Sequence, residues 1–450
     1  METNEQPHLA RNLKSRHVQL IAIGGTIGTG LFLGSGESIH FAGPSILLAY
    51  LITGIICFWL MRALGELLLS DLDHTSFVDF IRDYLGNRAS FIIGWTYWMC
   101  WITLAMSEVT ALGLYMQFWF PHLPQWIPGL IILVILLSIN LITVALFGET
   151  EFWFALIKII AIIALIVTGI FLILIHFKTT SGYVGLNNLV NHGGIFPRGL
   201  KGFCLSFQMV VFSFVGVEMV GMTASETADP QHVIPKAINS IPLRIILFYV
   251  GSLFVIMCIY PWNKVATNSS PFVQVFGDLG IKAAAGIINF VVITAAASAC
   301  NSALYTTGRM LFSLAIDSKN KYLHKIGHLS RRQVPQAGLI VSTIIIAIAV
   351  ILNMFMPNGV FTLVSSIATT CFLFVWASII GAHLRYRHSS LALKSNFKMP
   401  LTPWSDYLVL IFLAFLMIVL CCQKSTLIAL ILSCVWLLII NLIYQHSAHK

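Results

Sequence analysis

Three ionisable side chains fall deep within apolar stretches of this 450-residue chain: Glu108, Glu218 and Lys158. Each is costly in such surroundings, and a cost of that kind usually marks function. No other acid sits well inside a stretch, and Glu149 and Glu151 fall on a short polar connection. Lys158 lies two helical turns beyond Glu151 and on the same helical face. A buried amine can gain and lose a proton during a working cycle, whereas one near a helix end can snorkel to the interface. Glu218, beside Gly216 in FQMVVFSFVGVEMVG (207–221), can gate, carry a proton or tie helices together. Glu108 shares a face with Cys100 and Leu104 and can line a pocket or pair structurally.

The other chemically capable stretch is main chain. Gly24, Gly25, Gly28 and Gly30 crowd seven residues, with Thr26 and Thr29 between them, in the middle of the first apolar segment. Each glycine costs a helix interior about 1 kcal/mol relative to Ala. In lipid, a broken helix is tolerated only where protein covers it or it lines a cavity. Such a break exposes N–H groups at a half-helix start and carbonyls beside them, which suit a small zwitterion. The other reading is a small-xxx-small packing face.

The elements that must position these groups are membrane spans. Hydrophobic residues make up 58% of the chain, charged ones 10%, and mean hydropathy is +0.88. Soluble domains carry about 25% charged residues, so the chain is read as an all-α integral membrane protein. Apolar segments run at 18–36, 44–64, 90–119, 127–147, 151–175, 200–222, 241–262, 282–312, 336–356, 359–383, 404–421 and 427–444. That is twelve transmembrane helices, each near the ~20 residues a bilayer requires. The first is a true span, not a signal peptide, because it lacks a small-residue cleavage site and further spans follow. Between spans 2 and 3, Phe77, Phe80, Ile81, Tyr84 and Leu85 share one face of an expected interfacial helix. Residues 176–200 form the longest outside loop.

The net charge of +9 is distributed by side. Nineteen Lys and Arg fall on one side of the spans and six on the other, with Lys158 inside a span. The richer side is cytoplasmic, which places both termini there. The charge is therefore a topology signal, and no nucleic acid partner is expected. The nine cysteines lie in or beside spans and form no CxxC, so they read as small core hydrophobes. All fourteen histidines fall in loops or near span ends, and the pair His324 and His328 reads as solvated. No metal site, cofactor or nucleophile–base constellation is expected, which argues against a membrane enzyme.

Spans 1 and 6 are the two irregular ones, five apart, which is where a fold of two five-helix inverted repeats puts its discontinuous helices. Four motifs in order carry a family resemblance: RHVQLIAIGGTIGTGLFLGSG (16–36), EFWFALIKI (151–159), FSFVGVEMVGMTASETADP (212–230) with IPKAINSIPLRIILFY (234–249), and SACNSALYTTGRMLFSLA (298–315). They resemble permeases of the amino acid–polyamine–organocation superfamily, bacterial amino acid transporter group, over almost the whole chain. MRALGELLLSDL (61–72), GWTYWMCW (94–101), INSIPLRII (238–246), PW (261–262) and SPFVQVF (270–276) bring the resemblance nearest to D-serine/D-alanine/glycine permeases. The chain departs from that group at Thr26 and Glu108, where the group tends to Ala and Asp.

The resemblance implies a leucine-transporter-like 5+5 inverted-repeat core with helices 1 and 6 broken. A cytoplasmic tail (1–16) would precede the ten-helix core (17–390), and two accessory helices with a short tail (391–450) would follow. It implies that the substrate carboxylate sits on N–H groups around Gly28, Thr29 and Gly30, and that carbonyls near Thr26, Phe212 and Val215 hold the ammonium. Leu104 and Glu218 join the substrate-binding set, and Phe212 and Phe214 are candidates to close over the substrate. Lys158, with Ser298 as its hydroxyl partner and Glu108, forms the proton-coupling set; a lysine charge there replaces the ion that sodium-coupled relatives hold. The expected activity is proton symport of glycine, alanine and serine, D-isomers included, across a bacterial inner membrane. The alternatives are a permease for proline, threonine or an aromatic amino acid, or a transporter-fold nutrient sensor. A sensor would be expected to carry a long added cytoplasmic domain, and only ~16 residues precede span 1 and ~6 follow span 12 on this span reading. Expected partners are an amino acid, protons and lipid; the oligomeric state is left open.

Overall fold

The computed structural model describes residues 27–448 apart from 73, 75, 143, 180–181, 220–228, 268, 281, 317–320 and 358. The expected tail, Gly24, Gly25 and the proposed site residue Thr26 lie outside the described residues.

The chain is almost wholly helical. The first helices are α1 (Thr29–Phe32), α2 (Gly34–Ala42), α3 (Ile46–Ser70), α4 (Phe77–Leu85), α5 (Asn87–Met116), α6 (Trp126–Ile142), α7 (Val144–Leu174) and α8 (Gly199–Phe212). Then come α9 (Pro230–Asn239), α10 (Ile241–Arg244), a π-helical turn Ile245–Gly251, α11 (Ser252–Ile259) and α12 (Pro271–Asp278). The remainder are α13 (Lys282–Ile316), α14 (Lys321–Ile326), α15 (Gln336–Phe355), α16 (Val360–Tyr386), α17 (Ser390–Leu393), α18 (Trp404–Cys421) and α19 (Lys424–Ala448). Among the described residues, nine helices are long and apolar enough to cross a membrane, and α6 and α8 are shorter apolar ones. This is the architecture of a multi-pass membrane protein.

Helix α4 lies where the interfacial helix was expected. Ser76 caps it by accepting from Val78 N–H while Asp79 accepts from Ser76 N–H, a capping box that fixes its start. Phe77, Phe80 and Ile81 are buried and anchor its apolar face. The loop before α8 holds a small hairpin that hydropathy does not reveal, β1 (Lys178–Thr179) antiparallel to β2 (Gly182–Tyr183), with Lys178 opposite Tyr183.

The core is centred on α5, which packs along α13 and α16. Ala295, Ala299 and Ala303 recur every four residues on α13 and are buried, a small-residue face that lets helices approach closely. Two non-helical stretches open onto this centre. Before α1 the chain is extended at Gly28 (φ −126°, ψ −153°). After α8 it passes through turns to Gly216, whose φ of +87° is one that side-chain-bearing residues rarely adopt.

Candidate functional site

The two non-helical stretches meet at a small cavity lined by Gly28, Gly30, Leu104, Glu108, Phe212, Ser213, Val215 and Ala299. Its free volume is about 10 Å³, room for about one water. Six of these residues are among those singled out from the sequence, drawn from the first segment, α5 and the end of α8.

The cavity is tight because main chain meets main chain. A Cβ added to Gly30 would lie 2.6 Å from Ser213 Cα and 3.0 Å from Ser213 N. At Gly28 the nearest atoms would be Glu108 Oε1 at 2.7 Å and Ala299 Cβ at 3.1 Å. Glu108, buried on α5, uses one oxygen to accept both the Thr29 hydroxyl (2.9 Å) and the Thr29 backbone N–H (3.3 Å). A carboxylate at the free N–H groups of a helix start is electrostatically favoured.

The second interruption is held through Ser213. Tyr249, carried by the π-helical turn, donates its hydroxyl to the Ser213 carbonyl at 3.1 Å. Ser213 Oγ donates to Met209 O at 3.2 Å and lies 3.0 Å from Tyr50 Oη, so Tyr50 is the donor in that pair. Phe214 stacks on Tyr249 with ring centroids 4.9 Å apart, which turns its ring toward α3 and the π-helical turn. Phe212 lies edge-on to Phe361 at 6.1 Å.

Lys158 is fully buried, and its amine points inward, so it does not snorkel. Nζ donates to Ile27 O (3.2 Å) and to Ser298 Oγ (2.9 Å), tying α7 to the start of the broken segment and to α13. Ser298 in turn donates to Glu151 Oε1 at 2.5 Å. This corrects the reading of Glu151 as a loop residue: α7 begins well before the apolar run, and Glu151 is a fully buried residue of it. The seven-residue spacing to Lys158 was the signal available.

Glu218 is buried but does not line the cavity. Its Oε2 accepts from Trp376 Nε1 of α16 at 3.1 Å, three residues beyond Val215 and past the turn at Gly216. Leu104, one turn before Glu108 on α5, does line it.

A further buried polar cluster went unread in the sequence: Glu66 on α3, His383 on α16 and Asp406 on α18, all with fully buried side chains. His383 Nδ1 lies 2.7 Å from Asp406 Oδ1, and Nε2 lies 3.2 Å from Glu66 Oε2. Arg387 donates to Glu66 Oε1 at 2.8 Å and the Met399 N–H to Oε2 at 2.7 Å. Both ring nitrogens face carboxylate oxygens, so the arrangement is satisfied with an N–H on each. The correction is that buried acids extend beyond Glu108 and Glu218, and that one histidine belongs with them.

Comparison with known proteins gives the family. The family model described as "Amino acid permease" matches residues 17–449. The chain is 60% identical over 448 residues to "Amino-acid permease AapA" of Bacillus subtilis, covering 99% of this chain and 96% of that one. It is 47% identical over 439 residues to the "D-serine/D-alanine/glycine transporter" of Escherichia coli K12 (96% and 93% covered). With the "DL-alanine permease SerP2" of Lactococcus lactis it shares 43% identity over 442 residues (98% and 96% covered). These relatives are transporters, not enzymes. With glycine-lined breaks meeting at a buried cavity in a bundle of apolar helices, and a family match across almost its whole length, the chain belongs to the amino acid permease family.

Proposed function

We propose that this permease imports small neutral amino acids, glycine, alanine and serine with their D-isomers, by proton symport and alternating access. The carrying observation is the small cavity between the two non-helical stretches, with the Lys158 amine bridging Ile27 O and Ser298 Oγ beside it. The relatives named for D-serine, D-alanine, glycine and DL-alanine support the substrate class.

In this reading twelve helices cross a bacterial cytoplasmic membrane with both termini inside. Residues 17–390 form the inverted-repeat core, and 391–450 add two helices. The substrate carboxylate binds N–H groups around Gly28, Thr29 and Gly30, and carbonyls near Thr26, Phe212 and Val215 take the ammonium. Glu108 already holds two Thr29 donors. Substrate and Glu108 therefore compete for one anion position, and binding displaces the Glu108 carboxylate. Lys158 supplies the positive charge that anchors the broken segment, and its proton load follows the transport cycle. The bulk of Leu104, Phe212 and Val215 restricts the side chain that fits.

The test is uptake of labelled glycine into proteoliposomes under an imposed proton gradient, with unlabelled amino acids of both chiralities as competitors. Competition by D-serine and D-alanine, and collapse under a protonophore, are expected, and Lys158→Ala removes the gradient dependence. Competition by proline, threonine or aromatic amino acids alone would move the substrate class; gradient-independent accumulation would remove the proton.

A further inference from the structure

Glu151 is fully buried and is joined to the amine of Lys158 by a single hydroxyl. Lys158 Nζ donates to Ser298 Oγ, and Ser298 Oγ donates to Glu151 Oε1, so the two bonds point the same way along one line. That line runs from the carbonyl of Ile27, at the break, to an acid on the helical turns that precede Lys158. We propose that Glu151 is the proton acceptor that discharges Lys158 through Ser298. This rests on the proton-symport reading above.

The step balances within three side chains. A proton leaves Lys158 Nζ for Ser298 Oγ while Ser298 passes its own hydroxyl proton to Glu151. The ammonium becomes an amine, the carboxylate becomes an acid, and the serine is regenerated. The hydrogen bonds already drawn are the ones the transfer uses. Its consequence is mechanical, because a charged donor to Ile27 O becomes a neutral one and the start of the broken segment loses a charge-assisted bond.

Other groups surround this line. Glu108 of α5 acts electrostatically on Lys158, and Asn301 and Ser302 of α13 lie beside the Glu151 carboxylate. Asn301 is itself engaged by Asn140 of α6, whose Nδ2 donates to Asn301 Oδ1 at 2.8 Å. Neither amide nor hydroxyl titrates, so among the described residues Glu151 is the acid hydrogen-bonded to Ser298 that can take the proton.

The experiment compares wild type, Glu151→Gln, Glu151→Asp, Ser298→Ala and the double variant Glu151→Gln/Ser298→Ala in proteoliposomes. Two readouts are used: glycine accumulation under a gradient of about one pH unit, which for one proton per substrate drives about tenfold accumulation, and gradient-free exchange of labelled for unlabelled glycine. Glu151→Gln is expected to lose the accumulation and keep exchange, since a loaded carrier can shuttle without releasing its proton. Ser298→Ala behaves alike, the double variant is no worse than either, and Glu151→Asp regains part of the accumulation. Full accumulation in Glu151→Gln overturns the proposal, as does loss of both readouts in Glu151→Gln and Glu151→Asp together. Absence of gradient-driven accumulation in wild type instead overturns the symport reading itself.

Discussion

Thr29 gives both its backbone N–H and its hydroxyl to a single oxygen of Glu108, at 3.3 and 2.9 Å. The pair joins the broken first segment to α5 at the point where the proposed substrate carboxylate binds. Thr29→Val keeps the side chain's shape and removes one donor to a charged acceptor, worth about 1.5–3 kcal/mol. Because the lost bond holds Glu108, which the substrate must displace, the glycine KM of Thr29→Val is expected to fall about tenfold by that arithmetic, and that of Thr29→Ser to stay near wild type. Uptake kinetics check this; an unchanged KM in Thr29→Val would put the hydroxyl outside the site.

The two cavity glycines differ in what opposes a side chain. At Gly30 the obstacle is Ser213 main chain, and at Gly28 it is the end of the Glu108 side chain with Ala299 Cβ. Gly30→Ala is therefore expected to abolish uptake while the protein still inserts, and Gly28→Ala to leave residual activity with a raised KM. Membrane-fraction immunoblots beside transport assays distinguish these. Normal kinetics in Gly30→Ala would sink the proposed site.

Tyr249 and Tyr50 both grip Ser213, but unequally. Tyr249→Phe strips a donor from a buried carbonyl, a loss of about 1–3 kcal/mol, whereas after Tyr50→Phe the Ser213 hydroxyl still donates to Met209. The KM of Tyr249→Phe is expected to exceed that of Tyr50→Phe, with both proteins expressed. The reverse order would mean that the hydroxyl, not the carbonyl, positions the break.

His383 stands between two buried carboxylates. His383→Ala leaves Glu66 with Arg387 but deprives Asp406 of its partner, and breaking a buried pair costs about 3–5 kcal/mol. Thermal unfolding in detergent is expected to show a lower Tm for His383→Ala, and for Arg387→Ala, whose side chain is partly exposed, a smaller loss. Equal Tm values for His383→Ala and wild type would show the cluster to be structurally idle.

Six of the residues that line the candidate cavity were legible in the sequence. Four glycines in an apolar run and Gly216 beside Glu218 announce breaks, because backbone without a helical partner has few other uses in lipid. Lys158 and Glu108 announce themselves by cost. What escaped were acids whose partners are far along the chain. Glu151 follows the polar run Gly148-Glu149-Thr150, which reads as a connection, and its partner Ser298 is 147 residues away. Glu66 and His383 sit near the polar ends of their segments and meet across 317 residues. Hydropathy scores a residue by its neighbours in sequence, whereas burial of these groups is decided by which helices pack side by side. Glu218 shows the converse: its position beside the break was legible, but the turn at Gly216 delivers it to Trp376 and not to the cavity.

The cluster around His383 also bears on how this chain can be cut and rebuilt. Glu66 and His383 lie before residue 390, while the Met399 N–H and Asp406 lie after it. Beyond them Arg88 reaches Asn441 at 2.8 Å, and Phe91 lies against Tyr444. Excising residues 391–450 to obtain a minimal carrier would strip a buried imidazole of one counter-charge and a buried carboxylate of a backbone donor. Chimeras that exchange this region between permeases must therefore carry residues 66, 383, 399 and 406 as one unit.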